Sequence, residues 1–227
     1  MNRLRRIAIV GAESTGKSWL AQELAAALQA RGERAHWVPE TLRAWCDREG
    51  RTPLAHEQLP IAQHQAAAVM AITEGTVIAD TTPLVTAIYS HHFFADESLY
   101  PMALEHQRQY QLTLVTGLDI AWQAHWMRDH PAARAQVDSR MRQALEKADI
   151  GYRVVYGQGL ARLNNALLAL GLAAEDETVW QQRQRAQYAL NDGRTPWSCE
   201  KCSDPECEHR LFSGLISRAS GGPSVQG

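Results

Sequence analysis

Gly11-Ala12-Glu13-Ser14-Thr15-Gly16-Lys17-Ser18 decides how this chain is read. Glycine, four residues, then Gly-Lys-Ser is the phosphate-loop pattern, and every required position is filled. Both flanks agree with it. Arg6-Ile7-Ala8-Ile9-Val10 is a short β-branched run that predicts a buried strand, and Trp19 to Ala30 is rich in the helix formers Ala, Leu, Gln and Glu. A strand, a glycine turn and a helix N-terminus together make an anion site. The backbone N–H groups turn inward and the helix dipole favours negative charge at the same point. Gly11, Glu13, Ser14, Thr15, Gly16, Lys17 and Ser18 are the expected nucleotide contacts. In this pattern Lys17 reaches the β- and γ-phosphates and the Ser18 hydroxyl sits on Mg²⁺.

The whole chain narrows the alternatives. Its 227 residues suit one α/β domain with small additions, and an apolar content of 45% argues against a disordered or membrane class. A formal net charge of −2 gives no bias toward polyanions. The longest basic run is Arg5-Arg6, so no nucleic-acid partner is expected. The first residues lack the apolar core of about 7–15 residues that a signal peptide needs. No apolar run approaches a membrane span. A cytoplasmic location is therefore the expectation, with no membrane partner.

Further along, strands and helices alternate. Ala35-His36-Trp37-Val38, Thr76 to Asp80, Tyr110 to Thr116 and Tyr152 to Tyr156 join the first strand to make five, and the alternation predicts a parallel sheet. Helices are expected over His56 to Thr73, from Thr82-Pro83 to about Phe94, over Tyr100 to Arg108 and over Glu177 to Leu190. The stripe expected on the helix from His56 is Leu59, Ala62, Ala66, Val69 and Met70. Glu40 follows the second strand, where open α/β sheets bind ligands, although a helix-start carboxylate also complements the dipole. Asp80 ends an apolar strand, the second phosphate-loop element, whose carboxylate holds Mg²⁺ beside Ser18. Arg128 lies after the fourth strand, ahead of Pro131, where a lid arginine would neutralise charge on a transferred phosphoryl group. Arg140 and Arg142 read better as a charged outer face.

The composition changes after residue 190. Cys199, Cys202, Cys207 and His209 form Cys-x2-Cys-x4-Cys-x-His, a set that suits a closed tetrahedral Zn²⁺ site of structural type. Free thiols and a redox pair are the alternatives, and the acidic neighbours Glu200, Asp204, Glu206 and Glu208 oppose a reactive thiol. The expected organisation is a phosphate-loop domain over 1–190, a Cys/His extension over 191–218 and a disordered tail over 219–227.

Four stretches carry a family resemblance. Gly11 to Ser18, Val38-Pro39-Glu40-Thr41-Leu42-Arg43, Val77 to Thr82 and Leu118-Asp119-Ile120-Ala121-Trp122 resemble the ribosylnicotinamide kinase half of the bifunctional bacterial NAD-biosynthesis protein. The likeness covers about residues 5 to 170. It implies a nucleoside-kinase-like phosphate-loop fold, a three-layer α/β/α sandwich. It also implies ATP and Mg²⁺ as cofactors, and phosphorylation of the 5′-hydroxyl of a small nucleoside-like riboside. Glu40 and Arg43 then match the family's Glu-x-x-Arg at the substrate, Asp80 its third-strand aspartate, and Trp122 the tryptophan that opens its lid. Ala121 stands where the family usually has proline, and Met127-Arg128-Asp129 matches the lid motif loosely. Either Glu40 or Asp80 would accept the hydroxyl proton. The rival reading is a nucleotide-dependent switch or metal-handling ATPase that uses the cysteine tail.

Overall fold

Strand β1 (Arg5–Val10) is buried on both faces from Ile7 to Val10, and its alternating side chains feed two separate cores. Ile7 and Ile9 enter one core, Ala8 and Val10 the other. That is the period-2 geometry of a strand covered by helices on both sides. The computed structural model of the chain describes residues 4–121 and 131–190. The elements that follow β1 are α1 (Lys17–Ala30), β2 (Ala35–Val38), α2 (Thr41–Glu49) and α3 (Gln58–Met70). Next come β3 (Thr76–Asp80), α4 (Pro83–Phe94), α5 (Tyr100–Gln107), β4 (Leu112–Thr116), α6 (Pro131–Lys147), β5 (Arg153–Val155), α7 (Gly159–Ala169) and α8 (Glu177–Leu190). The five strands are parallel, in the order β2-β3-β1-β4-β5.

The layers follow from the side chains. Leu20, Leu24 and Leu28 of α1 pack with Leu163, Ala166 and Leu167 of α7 against Ile7, Ile9, Ile78 and Leu114. On the opposite face α3, α4, α5 and α6 contribute Ala62, Val69, Leu84, Ile88, Ala103, Val137, Met141 and Leu145, packed on Ala8, Val10, Val77, Ala79 and Val115. The outcome is the expected three-layer α/β/α sandwich around a five-stranded parallel sheet. Among the described residues no helix is long and apolar enough to cross a membrane.

Two local expectations shift. A 3-10 turn, Ala55–Glu57, precedes α3, because Glu57 accepts from the Leu54 N–H at 2.7 Å and closes a turn there. The buried stripe of α3 is Gln58, Ile61, Ala62, Gln65 and Val69, whereas Leu59 and Met70 are exposed at 42% and 38%. Two glutamines displace two apolar residues from the inner face, which a hydropathy pattern cannot register. Thr82 caps α4 as its sequence suggests, accepting from the Leu84 N–H at 3.3 Å, with Pro83 in the first turn.

Helix α8 is fastened to α1 by charge as well as by Trp180. Arg183 donates to Glu23 and to Glu175, both at 2.8 Å, and all three side chains are nearly buried. Gln184 and the Trp180 indole also donate to Glu23. Removing one partner of a buried ion pair strands the others in low dielectric. Arg183→Ala should therefore lower stability by about 3 kcal/mol, read as a shifted urea midpoint. A loss as small as that of an exposed ion pair would show that the cluster is solvated.

Candidate functional site

The Gly11–Ser18 loop joins β1 to α1 and sits at the carboxyl edge of the sheet. Gly11 adopts φ +151°, and a Cβ there would collide with Thr116 Oγ1. Ser14 and Gly16 take positive φ values of 53° and 74°, which curl the backbone into the anion-binding turn. Turning N–H groups toward one point sends the intervening carbonyls outward, and each must find a donor. Ala12 O accepts from Thr15 Oγ1 at 2.7 Å and from Lys17 Nζ at 2.8 Å. Ser14 O accepts from Arg134 Nη2 at 3.4 Å, and Thr15 O accepts from Arg162 Nη1. Thr116, the last residue of β4, supports the loop from behind, with its hydroxyl 2.6 Å from that of Thr15.

The acidic side of the site comes from β3 and the end of β2. Asp80 pairs in register with Ile9, so its carboxylate emerges next to the loop. It is 1% exposed, and its Oδ1 has no hydrogen-bond partner. Burial first, and Glu40 second, push its pKa up to about 6, while a hydrogen bond from Ser18 and the charges of Lys17 and Arg43 pull it back. Thr81, next in sequence, is held at φ +69°, a costly conformation for a β-branched residue, with its N–H bonded to Ile9 O. Glu40 stands at the N-terminus of α2. Arg43 reaches back from the first turn of that helix, 3.3 Å from Glu40 and 3.4 Å from Ser18 Oγ. Glu40, Arg43, Ser18, Asp80 and Lys17 thus form one connected group. An unpartnered buried carboxylate oxygen beside a hydroxyl is a hard-oxygen pair of the kind Mg²⁺ takes, so the residues present fit that ion.

Four residues that the sequence reading did not assign also belong here. Arg134 and Arg162 hold the loop carbonyls, and Thr116 backs the loop. Gln65, buried at 2%, accepts from the Thr41 N–H at 2.7 Å and so anchors the start of α2 under Glu40. Arg134 is one of several arginines after the fourth strand in sequence, and its contacts to Ser14 and Ile120 single it out. Arg128, Trp122, Cys199, Cys202, Cys207 and His209 lie outside the described residues. Among the described residues no three of His, Cys, Asp and Glu gather into a metal-ligand group.

A parallel α/β sandwich with this loop and a third-strand aspartate defines a phosphate-loop nucleotide-binding fold. The chain belongs to the AAA domain family, whose sequence profile matches residues 6–162. No curated protein matches the chain. Among solved structures it is similar to NadR protein in complex with NAD and AMP-PNP, at 19% identity and a TM-score of 0.62, over 77% of this chain and 51% of that one. NadR protein in complex with NR gives 17% identity and a TM-score of 0.59, over 77% and 52%. The chain therefore spans about half the length of those NadR chains. A deoxyadenosine kinase from M. mycoides with bound dCTP matches at 12% identity and a TM-score of 0.49, over 73% of this chain and 98% of that one.

Asp80 gives the site a measurable titration. Its folded pKa lies above the ordinary 3.8, so folding favours the protonated carboxyl. The stability that Asp80 contributes is then fully present below about pH 4 and is lost as pH rises through about 6. In chelator and without nucleotide, Asp80→Asn should remove that fall and stabilise the chain at pH 7 by on the order of 2–3 kcal/mol. The check is the difference between variant and wild-type melting temperatures from pH 4.5 to pH 7.5. A difference that does not grow with pH would contradict the burial argument.

Proposed function

We propose that this chain catalyses ATP- and Mg²⁺-dependent phosphoryl transfer to the 5′-hydroxyl of a small riboside, with nicotinamide riboside the first acceptor to test. The observation that carries this reading is the connected group at the sheet edge. Arg43 ties Glu40 to Ser18, so an acceptor-side carboxylate sits against the phosphate loop. A bare ATPase switch has no need of such a pair on that side. The resemblance of the Glu40 and Arg43 pattern to ribosylnicotinamide kinases, and the fold shared with NadR in complex with NR, support the choice of acceptor.

Each residue then has a task. The loop amides and Lys17 hold the donor phosphates, and the helix dipole of α1 adds to their attraction. Ser18 and Asp80 would hold Mg²⁺, which supplies charge neutralisation on the phosphates when bound. With Asp80 engaged there, Glu40 is the carboxylate left to orient the riboside hydroxyl and accept its proton. Arg43 keeps Glu40 aimed at the loop and adds positive charge beside Ser18. Arg128 is the proposed lid arginine and Trp122 the proposed aromatic contact to the riboside. Cys199, Cys202, Cys207 and His209 are the proposed structural zinc set.

Phosphoryl transfer through a loose transition state depends more on positioning and charge than on base strength. Lys17→Ala should therefore lower kcat by about 10³, and Glu40→Ala by about 10² or less. Single-turnover assays of ATP·Mg²⁺ with nicotinamide riboside, reading the mononucleotide by mass, test both the reaction and the order. ATP hydrolysis with the riboside untouched would overturn the acceptor. Equal losses in the two variants would overturn the assignment of roles.

A further inference from the structure

Arg162 is a fully buried arginine on a helix otherwise packed with Leu and Ala. Its guanidinium gives its donors to three separate segments. Nε donates to Gly157 O at 2.6 Å, in the loop after β5. Nη2 donates to Asp119 Oδ1 at 2.8 Å, in the loop after β4. Nη1 donates to Thr15 O inside the phosphate loop. Asp119 closes the arrangement by accepting from the Gly157 N–H through its other oxygen at 2.6 Å. Nη1 also lies against Gly16, since a Cβ on that glycine would come within 3.2 Å of it.

Stability alone explains this poorly. An apolar side chain of similar volume commonly serves a core as well as a buried ion pair does, because desolvating the charges offsets their attraction. What an apolar replacement cannot supply is a directional donor to Thr15 O. That carbonyl belongs to the peptide unit whose N–H is that of Gly16, so fixing the oxygen fixes where the N–H points. The planar fork of a guanidinium can hold three acceptors in one plane, which a lysine ammonium cannot reproduce.

We infer that Arg162 is a positioning residue for nucleotide binding: with Asp119 it locks the Thr15–Gly16 peptide in the orientation that receives the phosphates. The inference rests on the nucleotide-binding reading of the loop, though not on the identity of the acceptor. Arg162 does not touch the nucleotide in this account. It sets affinity by removing the freedom that the loop would otherwise lose on binding.

The test compares the full-length wild type with Arg162→Lys, Asp119→Asn and Leu167→Ala. The last removes a core side chain on the same helix that takes no part in the guanidinium's hydrogen bonds. Two quantities are measured, the melting temperature without nucleotide and the equilibrium Kd for ATP·Mg²⁺ well below that temperature. Arg162→Lys should weaken ATP binding about tenfold and Asp119→Asn severalfold, while Leu167→Ala lowers the melting temperature and leaves Kd unchanged. Wild-type affinity in Arg162→Lys would overturn the inference and leave a structural staple. So would a loss of affinity in Leu167→Ala equal to that in Arg162→Lys. Should Arg162→Lys fail to fold, Asp119→Asn decides by the same readout, and unchanged Kd in it overturns the inference. A wild-type chain that binds no ATP removes the nucleotide reading itself, an outcome separate from equal binding by all variants.

Discussion

A phosphate loop must turn its amides toward an anion, and the carbonyls between them are thereby committed to the protein interior. Everything around Gly11–Ser18 answers that constraint. Ala12 O is met by Lys17 and Thr15, Ser14 O by Arg134, and Thr15 O by Arg162. Apart from Thr15, which lies in the loop itself, those donors come from α1, α6 and α7, so the packing of three helices is coupled to the shape of one eight-residue turn. The ends of β4 and β5 are drawn in as well. Thr116 lies under Thr15, and Asp119 joins Gly157 to the same arginine that holds the loop.

The opposite wall of the site departs from what a core would choose. Asp80 is buried with one oxygen unpartnered, and Thr81 holds a backbone conformation that disfavours β-branched residues. Both sit at the carboxyl end of β3, between the loop and Glu40. Such features persist only where surrounding structure over-determines them. Here β3, buried throughout, and β1, buried from Ile7 to Val10, do so through the parallel register that places Asp80 opposite Ile9. Keeping a carboxylate dry and aimed at this edge costs stability, and the same burial is what raises the Asp80 pKa.

How much of this was legible depended on the range of the signal. The loop motif, β2, β3 and the Thr82 cap are local, each set by a few adjacent residues, and the structure has them where the sequence reads them. Asp80 was legible because an apolar strand ending in aspartate carries meaning once the first motif is present. The inner face of α3 was misread, since Gln58 and Gln65 look like surface residues and are buried. Gln65 earns its place by a bond to Thr41, 24 residues away in sequence. Arg162 was the least visible of all. An arginine two residues after Leu160 in a Leu/Ala helix reads as solvent-facing, and its partners lie 147 and 43 positions earlier.

By itself, then, the sequence determined the class of fold, the anion-binding turn, the third-strand carboxylate and the alternation that makes a parallel sheet. These follow from propensity, period and short motifs, which act over a few residues. Tertiary structure alone decided which arginines support the loop, which glutamine anchors α2, and that Glu40, Arg43, Ser18 and Asp80 form one connected group. Those contacts are fixed by strand order. Placing β3 and β4 on either side of β1 brings the acidic wall and the supporting loops to the two flanks of one turn. Hydrogen bonds and ion pairs are satisfied by whatever the fold brings within about 3 Å, and no local pattern encodes that distance.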